Sequence, residues 1–232
     1  MVRIGNFLFH YRNGLFPLAF VMLVWKYRPI FESDLVAAGV GFAVAMTGQA
    51  LRALTSGHAY LIRGGRKRQV YAEELVTTGV FSHCRNPLYD GNLLVITGLG
   101  LASNSLFFMA VGVPLFLFAY RAIVAAEENF LRQKFGPQFD DYCARVNRFL
   151  PNLSGITQTA RSMEFKWRRL LIKEYGSTFA WTSGMLLLVM KNLWMSGNYP
   201  MQSPVMIGLA AGLVLLILAY ILARFFKKTR VR

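Results

Sequence analysis

Apolar residues are gathered in long runs, separated by polar segments rich in lysine and arginine. The runs cover about Leu15 to Ile30, Leu35 to Leu54, Leu88 to Ala126, Ser177 to Leu193 and Val205 to Phe226. A membrane-crossing helix needs roughly 20 apolar residues, so four of the runs predict one span each, the first of them marginal in length. The third is too long for one helix. Ser103-Asn104-Ser105 interrupts it, which predicts a tight helical hairpin, with Pro114 kinking the second arm. The second run is rich in alanine and glycine, the composition of a close helix–helix seam. The predicted fold is all-α, a polytopic helix bundle of about six spans with a cytoplasmic cap.

Charge orients this bundle. Basic residues crowd the segments before and after the hairpin and the C-terminal tail, where Arg224, Lys227, Lys228, Arg230 and Arg232 follow the last run. The intervening linkers carry few, chiefly Lys26, Arg28 and Lys191. The positive-inside rule then places both termini and all heavily basic segments in the cytoplasm, in the inner membrane if the chain is bacterial or the endoplasmic reticulum if eukaryotic. Lys26-Tyr27-Arg28-Pro29, with no small-residue cleavage site, follows the first run, so that run reads as a retained span, not a signal peptide.

Composition narrows the function classes. Of the 232 residues 55% are hydrophobic, too many for an ordinary soluble domain, and the net charge is +15. Because the basic residues flank apolar runs, they fit an anionic membrane leaflet and not nucleic acid. Two cysteines, no CxxC pair and three unclustered histidines predict no structural metal site. From Ser162 to Glu174, Met163, Trp167, Leu170 and Leu171 share a face, which suits a helix in the headgroup plane or one packed on the cap. The chain reads as a single domain: two spans and a loop in 1–78, a catalytic hairpin and cofactor cap in 79–153, and an interfacial helix with two spans in 154–232.

The candidate chemistry surrounds the hairpin. Arg85-Asn86-Pro87-Leu88-Tyr89 enters it, with Pro87 at a helix start and Asn86 pushed towards an extended conformation. Arg85 is then held where a guanidinium can grip a carboxylate or phosphate. Gly98 and Gly100 allow close approach, to a neighbouring helix or to a ligand. Glu127 and Glu128 end the second arm about 100° apart, so both cannot face one partner. Ionisable groups at such depth are functional candidates, although the spacing of Glu128 and Arg132 also allows an ordinary i,i+4 surface pair. Tyr142, Arg145 and Arg148 follow; the two guanidiniums, three residues apart, share a face beside a tyrosine, a setting for a small anionic or aromatic ligand.

In this order and spacing, from about Thr77 to Pro151, these motifs resemble the integral-membrane methyltransferases of the isoprenylcysteine carboxyl methyltransferase and phospholipid methyltransferase superfamily. Arg85, Asn86, Pro87 and Tyr89 match its Arg-His-Pro-x-Tyr stretch. Gly98-x-Gly100 and Glu127-Glu128 match two S-adenosylmethionine-binding motifs, and Arg145 to Pro151 matches the closing segment. The resemblance implies a cofactor, S-adenosyl-L-methionine (SAM), held under a cytoplasmic cap by Asn86, Pro87, Tyr89, Gly98, Gly100, Glu127, Glu128, Tyr142, Arg145 and Arg148. It implies a lipid or lipidated acceptor entering from the bilayer, with Arg85, Glu127 and Glu128 as catalytic candidates. Asn86 stands where the family frequently has histidine, and an amide cannot titrate near neutrality. The acceptor stays open between a prenylcysteine carboxylate, a phospholipid amine and a small thiol. An NADPH-dependent, sterol-reductase-like enzyme and a non-catalytic scaffold are the competing readings.

Overall fold

A computed structural model describes residues 1–58, 63–66, 69–72 and 74–229. Of the basic residues that oriented the chain, Lys67, Arg68, Arg230 and Arg232 lie outside the described residues. The architecture is the expected helical bundle. Its long helices are α1 (Val2–Phe20, extended by a 3₁₀ turn to Val24), α2 (Asp34–His58), α3 (Pro87–Ala102), α4 (Val113–Phe135), α7 (Trp167–Met195) and α8 (Pro204–Thr229). Two short helices, α5 (Pro137–Arg145) and α6 (Ile156–Ser162), lie between α4 and α7. Among the described residues, four helical stretches are long and apolar enough to cross a membrane: Val2–Val24, Asp34–Gly57, Phe108–Phe135 and Pro204–Lys227. With 16 residues, α3 is shorter than a full span, and α7 opens with a charged third.

The helix pairs α1–α4, α2–α3, α2–α7 and α7–α8 are antiparallel, while α3 and α7 pack parallel, with Asn192 donating to Ala102 O. Gly5 of α1 meets Ala122 of α4, while Phe20 stacks on Phe116. Gly41 of α2 meets Gly98 of α3, and Gly48 meets Gly91. Trp181 of α7 donates to Gln49 of α2 and Glu174 pairs with Arg52, and Tyr175 and Tyr220 join α7 to α8. Both described chain ends therefore lie at the end of the bundle that carries the basic segments.

The seam between α2 and α3 depends on small residues. Ala37, Gly41, Ala45 and Gly48 form a stripe at helical spacing. A Cβ on Gly98 would lie 2.5 Å from the Gly41 carbonyl oxygen, and one on Gly41 as close to that of Gly98. Without side chains between them, the backbones pack in direct contact, which replaces the missing hydrophobic drive within lipid.

The hairpin break falls at Ser103–Ser105, as expected, and it is a buried clasp. Asn104, at φ 50°, accepts from the amides of Ile30 and Phe31 at 2.9 Å and donates to Phe31 O and to Asp34. Ser105 donates to Trp25 O at 2.7 Å. In the second arm, Phe108–Gly112 forms a π turn just before Pro114. Such a turn absorbs the hydrogen bond that proline cannot make.

Three details differ from the sequence reading. The first helix begins at Val2, not near Leu15, because Gly5, Phe9, Phe16 and Phe20 form one inward stripe despite the polar residues between them. The segment 162–174 is not a separate interfacial helix: α6 ends at Ser162, and Trp167 to Glu174 run without a break into α7. Nor is the basic loop wholly irregular. Arg63–Arg66 and Gln69–Ala72 pair antiparallel, Arg63 opposite Ala72, which satisfies backbone groups between the strands, and Ala72 packs against Leu131 of α4 and Phe139 and Tyr142 of α5.

Candidate functional site

The loop before α3 and the segment after α5 are sewn together through their backbones. Arg85 N donates to Asn147 O at 2.9 Å, and Asn152 N to His83 O at 3.0 Å. His83 spans the junction, one ring nitrogen 2.7 Å from Asn152 O and the other 2.8 Å from Thr159 Oγ1. Asn86 Nδ2 donates to Arg148 O at 3.1 Å. That tie, with the Asn86 carbonyl capping α3, holds Asn86 at φ −132°, ψ 48°, short of the extended conformation expected before proline. Cys84, fully buried below, donates its thiol proton to Asp90 at 3.0 Å. Burial first, then the bond to Asp90, pushes this thiol well above its ordinary range.

This scaffold places Arg85 against α4. One terminal nitrogen donates to Cys143 O at 2.9 Å, and the other lies 3.1 Å from Glu128 Oε1. The second oxygen of Glu128 pairs with Arg148 at 2.6 Å, so one carboxylate joins loop, helix and cap. The Arg85 and Glu128 side chains are 10% and 3% exposed, whereas that of Arg148 is 47% exposed. Arg85 Nε is buried with no hydrogen-bond partner among the described residues. Glu127, one residue earlier, faces elsewhere, and its Oε1 accepts from the Tyr89 hydroxyl at 2.8 Å. The two carboxylates thus have different partners, as helical geometry requires. The Glu128–Arg132 pair is not formed; Arg132 instead meets Asp140 at 2.7 Å in the open.

Arg85, Asn86, Pro87, Tyr89 and Glu127 line a cavity of about 700 Å³, a size within the range of roughly 300–1,000 Å³ usual for ligand sites. The other sequence candidates lie off it. Gly98 is occupied by the α2 seam and Gly100 by Phe108 and Met109 of the second arm, so helix packing uses both. The Tyr142 hydroxyl donates to Phe81 O at 2.7 Å, and the buried ring anchors the cap. Arg145 is exposed and bonds the backbone of Asp141. It shares no helical face with Arg148, because α5 ends at Arg145 and Val146 is extended. Glu128 and Arg148 stand behind Arg85.

Other residues that line the cavity escaped the sequence reading: Arg12 on α1, Arg52 on α2, Asn92 on α3, Tyr120 on α4 and Ser177 on α7. Arg52 is held by Glu174 at 2.8 Å and also bonds Asn92, while Ser56 donates to the second oxygen of Glu174 at 2.7 Å. The signal was present: Arg52 lies inside an apolar run and Glu174 just before one, where ionisable groups are costly without partners.

Residues 35–138, just under half of the chain, match the phospholipid methyltransferase family. The nickel-cobalt-cadmium resistance protein NccN of Alcaligenes xylosoxydans xylosoxydans is 42% identical over 90 residues, 39% of this chain and 40% of that protein. The cobalt-zinc-cadmium resistance protein CzcN of Cupriavidus metallidurans is 43% identical over 90 residues, 39% of each. A probable protein-S-isoprenylcysteine O-methyltransferase of Oryza sativa subsp. indica is 32% identical over 118 residues, 48% of this chain and 60% of that protein. The chain thus covers less than two thirds of each of these relatives. No solved structure matches it. Over these residues the chain is similar to the phospholipid methyltransferase family and to a probable isoprenylcysteine O-methyltransferase, the two branches that its motifs resemble.

Proposed function

We propose that this chain is a SAM-dependent methyltransferase acting on a membrane-borne lipid or lipidated acceptor. The observation that carries the reading is the buried Arg85, tied to Glu128 and with a free Nε, beside the Tyr89–Glu127 pair at the cavity wall. The donor set suits SAM. A guanidinium with an unused N–H fits its carboxylate, a carboxylate fits its ammonium or ribose diol, and tyrosine faces fit a sulfonium or an adenine. Arg85, Asn86, Pro87, Tyr89 and Glu127 would hold it from the cavity wall, with Glu128 and Arg148 fixing Arg85. Bound there, SAM supplies an activated methyl group.

The rest falls to the protein's own groups. Methyl transfer to a competent nucleophile needs alignment and exclusion of water more than covalent help. Phe81, Leu88 and Tyr120 give the cavity an apolar wall. The Tyr89 hydroxyl holds Glu127 in place at the cavity wall, where its carboxylate would take the proton from an amine acceptor. Six crossings with both termini in the cytoplasm complete the proposal, supported by the alternating helix directions and the basic segments gathered at one end.

The test is calorimetric titration of the detergent-purified protein with SAM, S-adenosylhomocysteine and NADPH, repeated on Glu127→Gln and Arg148→Ala. Binding of both sulfur compounds, weakened in the variants, is the expected result. Binding of NADPH alone would favour the reductase reading, and binding of none would overturn the proposal.

A further inference from the structure

The cavity continues past Glu127 into a region that no family motif describes. Arg12 lies there, halfway along an apolar α1, at the one charged position in the inward stripe of Gly5, Phe9, Phe16 and Phe20. The carboxylates around the cavity are already engaged: Glu127 by Tyr89, Glu128 by Arg85 and Arg148, Glu174 by Arg52 and Ser56. Arg12 has no ion pair or hydrogen bond among the described residues. Its guanidinium carbon lies 4.2 Å from the centroid of the Phe9 ring. A guanidinium at this depth in a membrane protein is costly unless something anionic meets it.

The surroundings indicate what that anion is attached to. Around Arg12 the wall is aromatic, from Phe9, Phe16 and Phe20. Asn13 and Pro17 of α1 and Ala180 of α7 line the cavity and are also exposed, so it opens sideways between these helices. Arg52 contributes a second guanidinium, held rigid by Glu174 and Asn92. From Arg12, one helical turn leads to Phe16, whose ring packs edge-on against Tyr120 at 5.5 Å. Tyr120 packs on Tyr89 at 5.2 Å, and Tyr89 bonds Glu127. The charged and reactive ends of the cavity are therefore joined by continuous packing.

We propose that Arg12, with Arg52 on the wall of the same cavity, forms an anion subsite that selects an acidic head group, carboxylate or phosphate, carried on an apolar tail. This rests on the methyltransferase reading only in naming the ligand an acceptor; the subsite itself can be tested without catalysis. Both α1 and Glu174 of α7 lie outside the matched residues 35–138, so the selectivity belongs to this chain and not to the shared segment.

The experiment measures binding of a fluorescent long-chain fatty acid, and of the alcohol of the same chain, to the protein in neutral detergent. Charge-assisted hydrogen bonds make the expected preference for the acid about tenfold or more. Arg12→Ala and Arg12→Gln should abolish the preference, and Arg12→Lys should restore part of it, with elution profile and circular dichroism confirming the fold. Inorganic phosphate and acetate at millimolar concentration should not displace the acid; efficient displacement would overturn the tailed-ligand proposal in favour of a free-anion site. Equal binding of acid and alcohol, or a preference that survives in Arg12→Ala, would overturn the subsite. A parallel SAM titration of the unaltered protein tests the methyltransferase reading alone, so the two can fail separately.

Discussion

Replacing Glu128 by alanine removes the carboxylate that joins Arg85 to Arg148, and the two halves of that bridge differ in environment. Arg85 is 10% exposed and Arg148 47% exposed. Removing one partner of a buried pair costs about 3–5 kcal/mol, because the other charge is stranded. Arg85 keeps its bond to Cys143 O, so the lower figure applies, about 3 kcal/mol. For a chain of this size that is a fall in melting temperature of roughly 6–12 °C. Arg148→Ala leaves Glu128 bound to Arg85 and removes only the half-exposed partner, a loss of at most about 1 kcal/mol. Arg132→Ala breaks an exposed pair with Asp140 and should fall within about 0.5 kcal/mol of the parent. Thermal melts of the three variants in one detergent, followed by tryptophan fluorescence, measure the ordering. Glu128→Gln, which keeps the shape and one acceptor, should lie between parent and alanine. A Glu128→Ala protein that melts no lower than Arg148→Ala would refute the buried bridge. The same reasoning makes Arg148→Ala the cleaner probe of cofactor binding, since a loss in Glu128→Ala mixes binding with stability.

Gly98→Ala should lower the melting temperature by several degrees because its Cβ meets the Gly41 backbone, whereas Gly176→Ala, with nothing within 4 Å, should not; equal melts would contradict the glycine seam. In native protein at pH 8, a maleimide should leave Cys84 unlabelled, because it is fully buried and its thiol proton is held up by burial and Asp90. Mass spectrometry that finds Cys84 modified before unfolding would refute this. In a background with both native cysteines changed to serine, an impermeant reagent should label Gly197→Cys from outside sealed cells and leave Leu153→Cys untouched. The reverse pattern would invert the proposed topology.

Much of the bundle was legible because membrane helices are written in long apolar runs, and lipid leaves the backbone no alternative to internal hydrogen bonds. The hairpin and its break at Ser103–Ser105 were readable for that reason. The start of α1 was not, because a stripe of four inward residues diluted by His10, Arg12 and Asn13 has no run to announce it. The site divides in the same way. Arg85, Asn86, Pro87, Tyr89 and Glu127 were visible as polar residues at the mouth of an apolar hairpin, and they do line one cavity. Gly98, Gly100, Tyr142 and Arg145 belonged to the same motifs but support helix packing, anchor the cap or face outward.

By itself, the sequence determined the helical class, the membrane-suited helices, the crowding of positive charge at alternate connections and the polar motifs around the hairpin. All of these are local in the chain, where composition and period decide the outcome. Only the tertiary structure decided which partner each charge takes: Glu128 bridges Arg85 and Arg148 and ignores Arg132 four residues away, and Arg52 meets Glu174 across 122 positions. A buried ion pair is chosen by which side chains the packed helices bring within reach once water is excluded, and that distance is not written in sequence separation.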